Sequence, residues 1–430
     1  MSSQNCRSGC LHTLFCCLLS VLRRLHLVSP ELYQSDCSCD LKLVAISFNH
    51  DTSALTADAM NVRKNFATAI SAPEWTIGKT APTDSPAAYA IKETHGQTIT
   101  VKAKFTISPS SATQAEIKAD GGGVLGALEP QTVTFSAGVS VPEFVSFELH
   151  HHTIGNDGIK LEDITWNWKY RCCGGCEWEP LETTHHRIYV VLEEPKLPWK
   201  QQPSLSDQNP WTDALDYACV WAGGKKTRDD AATAITEAVN SSLGLVYDNA
   251  AGASHYTSGF LAIFELTQFI AYLKNGTGLG HIVNCTDCAT ITTTFSNLVG
   301  CDLHASKMGS SFDLTPFRGI GAAGFGCPGF GCHFSFHEVA WKGGHGNADP
   351  LFDACLRVDG DANPWLAPYT EMFPVNIVFS TNPGAALPRA VPFNDQSYKE
   401  RLCTNNAAGI GSCNPIGPWP SSSNGRRPVK

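Results

Sequence analysis

Polar and apolar positions alternate with a period of two through the first half of the chain. Ile99, Val101, Ala103 and Phe105 are separated by Thr100, Lys102 and Lys104; Val145, Phe147 and Leu149 repeat the rhythm, as do Ile164, Trp166, Trp168 and Tyr170. Alternation puts one set of side chains on a buried face and the other in water, the mark of a half-buried strand. Turn chemistry at 108–112 and 121–130 separates these strands, and 187–192 reads as the closing one. Many short strands with Gly and Pro turns predict an N-terminal all-β, immunoglobulin-like sandwich over residues 41–197.

The rhythm changes after 196–203, where two prolines bracket polar residues in the manner of a linker. Residues 211–222 and 229–240 carry helical spacing, the first capped by Asp207 or Asn209 and the second by Arg228 and Asp229. The longest helix is expected over 256–274, where Phe260, Leu261, Phe264, Phe269, Ile270 and Leu273 wrap more than one face. The glycines of 275–280 end it. Cys288, Ile291, Phe295, Leu298 and Val299 then form the stripe of a helix that begins at Cys285. Two strands follow, 336–341 and 351–358, joined by the turn-rich 342–350, with a further strand over 374–380. The second domain therefore spans 205–383 and mixes helices with strands. Residues 384–430, rich in Pro, Gly, Ser and Asn with a basic pair Arg426 and Arg427, read as an extended tail.

Length and composition refine this picture. A chain of 430 residues holds two or three domains with their own cores, and a net charge of −9 argues against a nucleic-acid partner. Residues 1–40 read as a leader outside the fold: the apolar run 11–22 is too short to span a bilayer, His12 interrupts it and Arg23 and Arg24 follow it. A noncleaved or poorly ordered leader is preferred to a signal peptide. Cys16 and Cys17 beside basic residues are a weak lipidation pattern. No other segment reads as a membrane span, and a soluble protein in an intracellular setting is favoured. The eighteen cysteines admit disulfides, metal or thiol chemistry.

Cys285 opens its helix, where the partial positive charge of the N-terminus favours a thiolate. If the later hairpin bends at His345, residues whose numbers sum to 690 face each other, and His337 lies opposite Asp353. Directly opposed residues have Cβ atoms roughly 4.5–5.5 Å apart. A thiol, a base and a carboxylate that fixes the base's tautomer are the parts of a nucleophilic site. His333, an even number of residues from His337, is the rival base. Elsewhere Cys172, Cys173, Cys176 and His185 are secondary candidates for a structural metal, but their intervals match no standard finger and a hairpin loop between two strands is the preferred reading; in an oxidising compartment Cys172 or Cys173 could pair with Cys176 as a disulfide. The histidines 150–152 read as a surface feature. Gly319, Gly321 and Gly324 have dinucleotide spacing without a strand–helix unit, so a glycine loop that covers the cleft is the preferred reading. Cys327 and Cys332 within it read as free thiols. The calcium-like start Asp359, Asp361, Asn363 has Pro364 where glycine belongs, and reads as an acidic turn.

These segments resemble the transglutaminase-like superfamily of papain-related cysteine enzymes. Cys285, Asp287 and Ala289 are similar to its Cys-x-Asp-x-Ala helix start, Leu298 and Gly300 to the Leu-x-Gly that closes the helix, and His337 and Asp353 match the spacing of its catalytic pair. The resemblance covers roughly residues 210–380. It implies an α+β transglutaminase-like domain and thiol-dependent acyl transfer on protein or peptide amides through a thioester, as in a cysteine peptidase, deamidase or transglutaminase, with no cofactor and no membrane partner. Cys285 would attack, His337 would move the proton and Asp353 would orient it; the Cys285 N–H and Asn284 would serve the oxyanion. Val283 stands where the family has Gly, and Trp341 stands two places beyond the family's His-x-Trp. Those departures motivate the alternative, an inactive transglutaminase-like binding or structural protein.

Overall fold

The computed structural model describes residues 38–50, 59–91, 99, 101–151, 153–202, 206–258, 262–381 and 397–430. The leader up to residue 37, His152, Pro203, Phe260, Leu261 and 384–396 of the expected tail lie outside the described residues. The protein is mostly β with few helices.

Alternation produces strands where it was read. In Val101–Ser108 the side chains of Val101, Ala103, Phe105 and Ile107 are buried while Lys102, Lys104 and Thr106 are half-buried. We number the main strands β1 (Asp40–Ser47), β2 (Val101–Ser108), β3 (Gln114–Gly121), β4 (Leu128–Ser136), β5 (Lys160–Arg171) and β6 (Glu179–Val191). They join one ten-stranded sheet, in the order Trp75–Thr76, β1, β2, Val139–Val141, β4, β3, β5, β6 and Pro86–Ala90, with Val145–Phe147 also on β2. The sequence reading expects two stacked sheets; the strands instead form one sheet that curls back on itself. Periodicity tells which face of a strand is buried but not which neighbour it pairs with. The curl brings β1 to the end of β5, where the Tyr170 hydroxyl donates to the Cys39 carbonyl at 3.2 Å and Cys39 is disulfide-bonded to Cys172. Phe105, Phe147 and Trp168 meet edge to face inside it, with centroids 5.6–5.8 Å apart.

The second half builds around one helix. Four helices, α1 (Thr212–Trp221), α2 (Arg228–Ser241), α3 (Leu266–Asn275) and α4 (Cys285–Leu298), precede a five-stranded antiparallel sheet. Its strands are β7 (Leu303–Met308), β8 (His337–Lys342), β9 (Pro350–Phe352), β10 (Val375–Val378) and β11 (Pro415–Pro418), in the spatial order β10-β9-β8-β7-β11. All fourteen residues of α4 are buried, between α1 and α2 on one side and β7 and β8 on the other. Threonine is a poor intrinsic helix former, and tertiary contacts compensate: the Thr286 hydroxyl donates to Glu338 at 3.0 Å, and the Trp199 indole donates to the Thr294 carbonyl at 2.9 Å.

Three sequence expectations are corrected here. Helix α3 starts at Leu266, not near 256, because Thr257 and Phe264 pair in an antiparallel bridge and the Glu265 N–H donates to the Tyr256 carbonyl at 2.9 Å, while the Asp287 carboxylate holds the amides of His255, Tyr256 and Thr257 at 2.7–3.0 Å. Part of the expected tail is folded: α5 (Tyr398–Leu402) and β11 pack into the module, and the N–H of Ala305 donates to the carbonyl of Gly425 at 2.9 Å. The expected linker lies along α4, where Lys196 N–H donates to Asn297 O at 2.8 Å and Trp199 is buried. Residues Cys39–Lys430 cluster as one compact unit.

Six cysteines are paired, as Cys39–Cys172, Cys173–Cys176 and Cys327–Cys332. This removes Cys172, Cys173 and Cys176 as metal ligands, leaves His185 bonded to the Thr165 hydroxyl at 3.0 Å, and overturns the free-thiol reading of Cys327 and Cys332. No helix among the described residues is long and apolar enough to cross a membrane.

Candidate active site

Cys285 is the first residue of α4, and the start of that helix is held from both sides. Asn284 is its N-cap: the side-chain oxygen accepts from the Asp287 N–H at 3.0 Å, and Asp287 accepts from the Asn284 N–H at 3.3 Å, a reciprocal capping box. The Asn284 amide nitrogen donates to the Gly252 carbonyl at 2.9 Å. Its oxygen and one of its two N–H donors are therefore occupied, which leaves one side-chain donor. Asp287 also collects the three amides of 255–257, so burial, which raises its pKa, is opposed by hydrogen bonds that favour the carboxylate. The thiol sits 6% exposed at this fixed turn, with its backbone N–H at a position that has no intrahelical acceptor.

His337 begins β8 and is fully buried. Its Nε2 lies 2.9 Å from Asp353 Oδ2. The expected register is off by two residues: Ala340 faces Phe352, where the bend at His345 would have set it against Pro350. An even displacement keeps Asp353 on the same sheet face as His337, so the two still meet, diagonally and just beyond the ladder. Asp353 is itself tightly held. Its Oδ1 accepts from the N–H groups of Cys355 at 2.7 Å and Leu356 at 3.3 Å, and its Oδ2 also accepts from the Tyr398 hydroxyl. The imidazole is stacked between Phe334 and Tyr398, at 5.7 and 6.4 Å.

Burial alone would lower the pKa of His337. The charge of Asp353 and its hydrogen bond outweigh it, Cys285 adds a smaller contribution, and the result is raised to about 10. His337 Nδ1 is buried without an ordinary hydrogen bond, which leaves that nitrogen for the thiol. One turn along the helix, Cys288 contacts Cys355, and burial pushes both thiols up. The rival base His333 is exposed, with one ring nitrogen 2.8 Å from Asp313 and the other 2.9 Å from Ser311. The arrangement combines a thiol, a base with one committed nitrogen and a fixed carboxylate, the groups that nucleophilic acyl transfer needs.

Sequence reasoning missed Tyr398, Glu338 and Arg427. Glu338 accepts from the Thr286 hydroxyl at 3.0 Å and pairs with Arg427 at 2.6 Å, both side chains almost fully buried, and Arg427 donates to Thr290 at 2.8 Å. A signal for Tyr398 was present, since Ser397 and Glu400 have Ser-x-x-Glu spacing and the Ser397 hydroxyl accepts from the Glu400 N–H. The glycine loop leads from Arg318–Gly319 past the Cys327–Cys332 disulfide, and the Gly329 N–H donates to the Asn249 carbonyl at 3.0 Å. Phe330, 38% exposed, lies over Gly252, where a Cβ would meet its ring at 3.2 Å. The acidic turn at Asp359 is closed by the N–H of Thr370 at 2.7 Å and by Arg401, which donates to the Asp359 and Asp361 carbonyls.

No family model and no curated protein sequence matches this chain. Among solved structures it is similar to the crystal structure of red sea bream transglutaminase, with 10% identity and a TM-score of 0.32 over 70% of this chain and 54% of that one. The match spans about half the length of that protein.

Proposed function

We propose that the chain performs thiol-dependent acyl transfer on protein or peptide amides. The observation that carries this reading is the asymmetry of His337, with Nε2 held by Asp353 and Nδ1 left to Cys285. At neutral pH a raised pKa favours the imidazolium, whose charge stabilises a neighbouring thiolate. Cys285 Sγ attacks the amide carbonyl and forms a C–S bond; the proton held on Nδ1 passes to the leaving nitrogen as the C–N bond breaks. The product is a thioester. An acceptor then donates its proton to His337 and displaces the thiolate, so that water gives hydrolysis or deamidation and a lysine amine gives cross-linking. The Cys285 N–H, at the positive end of α4, stabilises the oxyanion. The wider assignment, an α+β transglutaminase-like domain following a β domain, is part of the same proposal and is supported by the buried helix lying on an antiparallel sheet.

Labelling by iodoacetamide over pH 5–9 tests this. Cys285 is expected to react faster than a model thiol below pH 7, and to slow when His337 is replaced by Ala. A rate no greater than the model thiol, unaffected by that replacement, favours the inactive binding protein.

A further inference from the structure

Strands β7 and β8 pair with Met308 opposite His337 and Lys307 opposite Glu338. Opposed residues on neighbouring strands leave the sheet on the same face, so Lys307 emerges on the Glu338 side. There Glu338 contacts Thr286, the residue after Cys285. Glu338 is already neutralised by Arg427. Lys307 thus shares the sheet face of the Glu338–Arg427 pair that braces the turn after Cys285, without a carboxylate of its own.

Its ammonium lies between two aromatic faces, 3.9 Å from the centroid of Phe336 and 3.8 Å from that of Trp419. It has no ion pair or hydrogen bond among the described residues. Ring faces attract a cation but accept little from its three N–H donors. A half-buried ammonium held this way retains a demand for an anion. Burial lowers its pKa, Glu338 and Cys285 raise it and Arg427 lowers it, so the site feels the thiol's charge. Trp419 is 43% exposed, which opens the aromatic clamp to solvent.

We propose that Lys307, clamped by Phe336 and Trp419, is a carboxylate-reading subsite beside Cys285, so that the acyl donor is a peptide amide with an acidic group close to the reacting carbonyl. This rests on the reading of Cys285 as the acyl-accepting thiol. An acidic side chain and a free C-terminal carboxylate offer the same chemistry. Both place a carboxylate within a residue of an amide.

Alkylation by a charged and a neutral reagent of equal shape tests the subsite without turnover. The rates of iodoacetate and iodoacetamide at Cys285 are measured by peptide mapping on the full chain, for the parent, Lys307→Met and Lys307→Arg. The iodoacetate-to-iodoacetamide ratio is expected to fall about five-fold in Lys307→Met, to recover in Lys307→Arg, and to shrink with added salt. A ratio unmoved by Lys307→Met overturns the proposal. So does an equal fall of both rates, which would mean that the ammonium acts on the thiolate alone. If Cys285 reacts with neither reagent faster than buried Cys288, the acyl-transfer reading fails, and protection of Lys307 from reductive methylation by an acidic peptide then decides the subsite: protection supports it and none overturns it. Two blocked glutamine peptides, one with a neighbouring Glu and one with a neutral neighbour and a free C-terminus, compete against iodoacetate. Whichever competes identifies the source of the carboxylate; failure of both overturns the subsite.

Discussion

His186 in the curled sheet and His337 in the helical module are both completely buried, yet they are held in opposite ways. His186 lies against Phe48 and Trp166, with Nδ1 2.7 Å from the Ser85 hydroxyl and Nε2 2.8 Å from the Thr184 hydroxyl. Burial, with a smaller push from His185, lowers its pKa to about 3. His337 meets the same desolvation, but its partner is a carboxylate and its pKa is raised to about 10. Burial penalises the imidazolium in both places, and the charge of the neighbour decides the sign. His186 is a neutral cross-link between strands with both nitrogens used. His337 is a charged group with one nitrogen in reserve.

The comparison breaks most severely where its source is removed. Asp353→Asn should keep the thiol but lower amide turnover by about a thousand-fold or more, because the imidazole loses both its tautomer and its charge partner. Cys285→Ala should abolish the covalent intermediate, as followed by mass spectrometry. Next in size is Arg427→Met, which leaves Glu338 buried and unpaired and should cost about 3–5 kcal/mol in urea unfolding; adding Glu338→Gln should recover much of it. The double variant separates loss of charge balance from loss of packing.

The two histidines should also mark opposite ends of the pH-stability curve. His337 has its folded pKa above the unfolded value, so its contribution is full below about pH 6.5 and disappears as pH rises through about 10. For His186 the folded pKa is depressed, so its contribution is full above about pH 6.5 and disappears as pH falls towards 3. Thermal unfolding across this range should show His337→Gln flattening the alkaline limb and His186→Phe flattening the acid limb. The reverse pattern would mean that the charge states are misassigned. A smaller change is expected from Tyr398→Phe, which removes one donor to Asp353 and should lower turnover by roughly ten-fold, in line with about 1.5 kcal/mol for a hydrogen bond to a charged group. Smallest of all is Cys288→Ala, which should leave activity in place and cost only packing, measured as a modest drop in Tm.

Much of the frame around His337 was legible because short-range periodicity reports burial. The stripe after Cys285 forecast α4, and the parity of the hairpin put Asp353 on the correct face even though the register was two residues off. The error came from the turn: pairing runs only through Ala340 and Trp341, and β9 shifts register against β10 between Leu351 and Phe352. The capping role of Asn284 went unread although its spacing to Asp287 already had the form of a cap. Apolar residues near 256–264 suggested helix, but the amides of Tyr256 and Thr257 are held by Asp287, a residue about thirty positions away in the chain. The Cys39–Cys172 disulfide was hidden for the same reason, its cysteines being separated by 133 residues. Arg427 left little trace because its contact with Thr290, across 137 residues, has no local period.

Those distant contacts also order events in time. Arg427 is bonded to Thr290 across 137 residues, and at about 5–20 residues per second a ribosome takes on the order of ten seconds to make that stretch. A growing chain carries its thiol throughout that interval without Arg427 beneath Glu338, and for most of it without Tyr398 on Asp353. The bracing of Cys285 and His337 by these two residues is therefore completed late in synthesis.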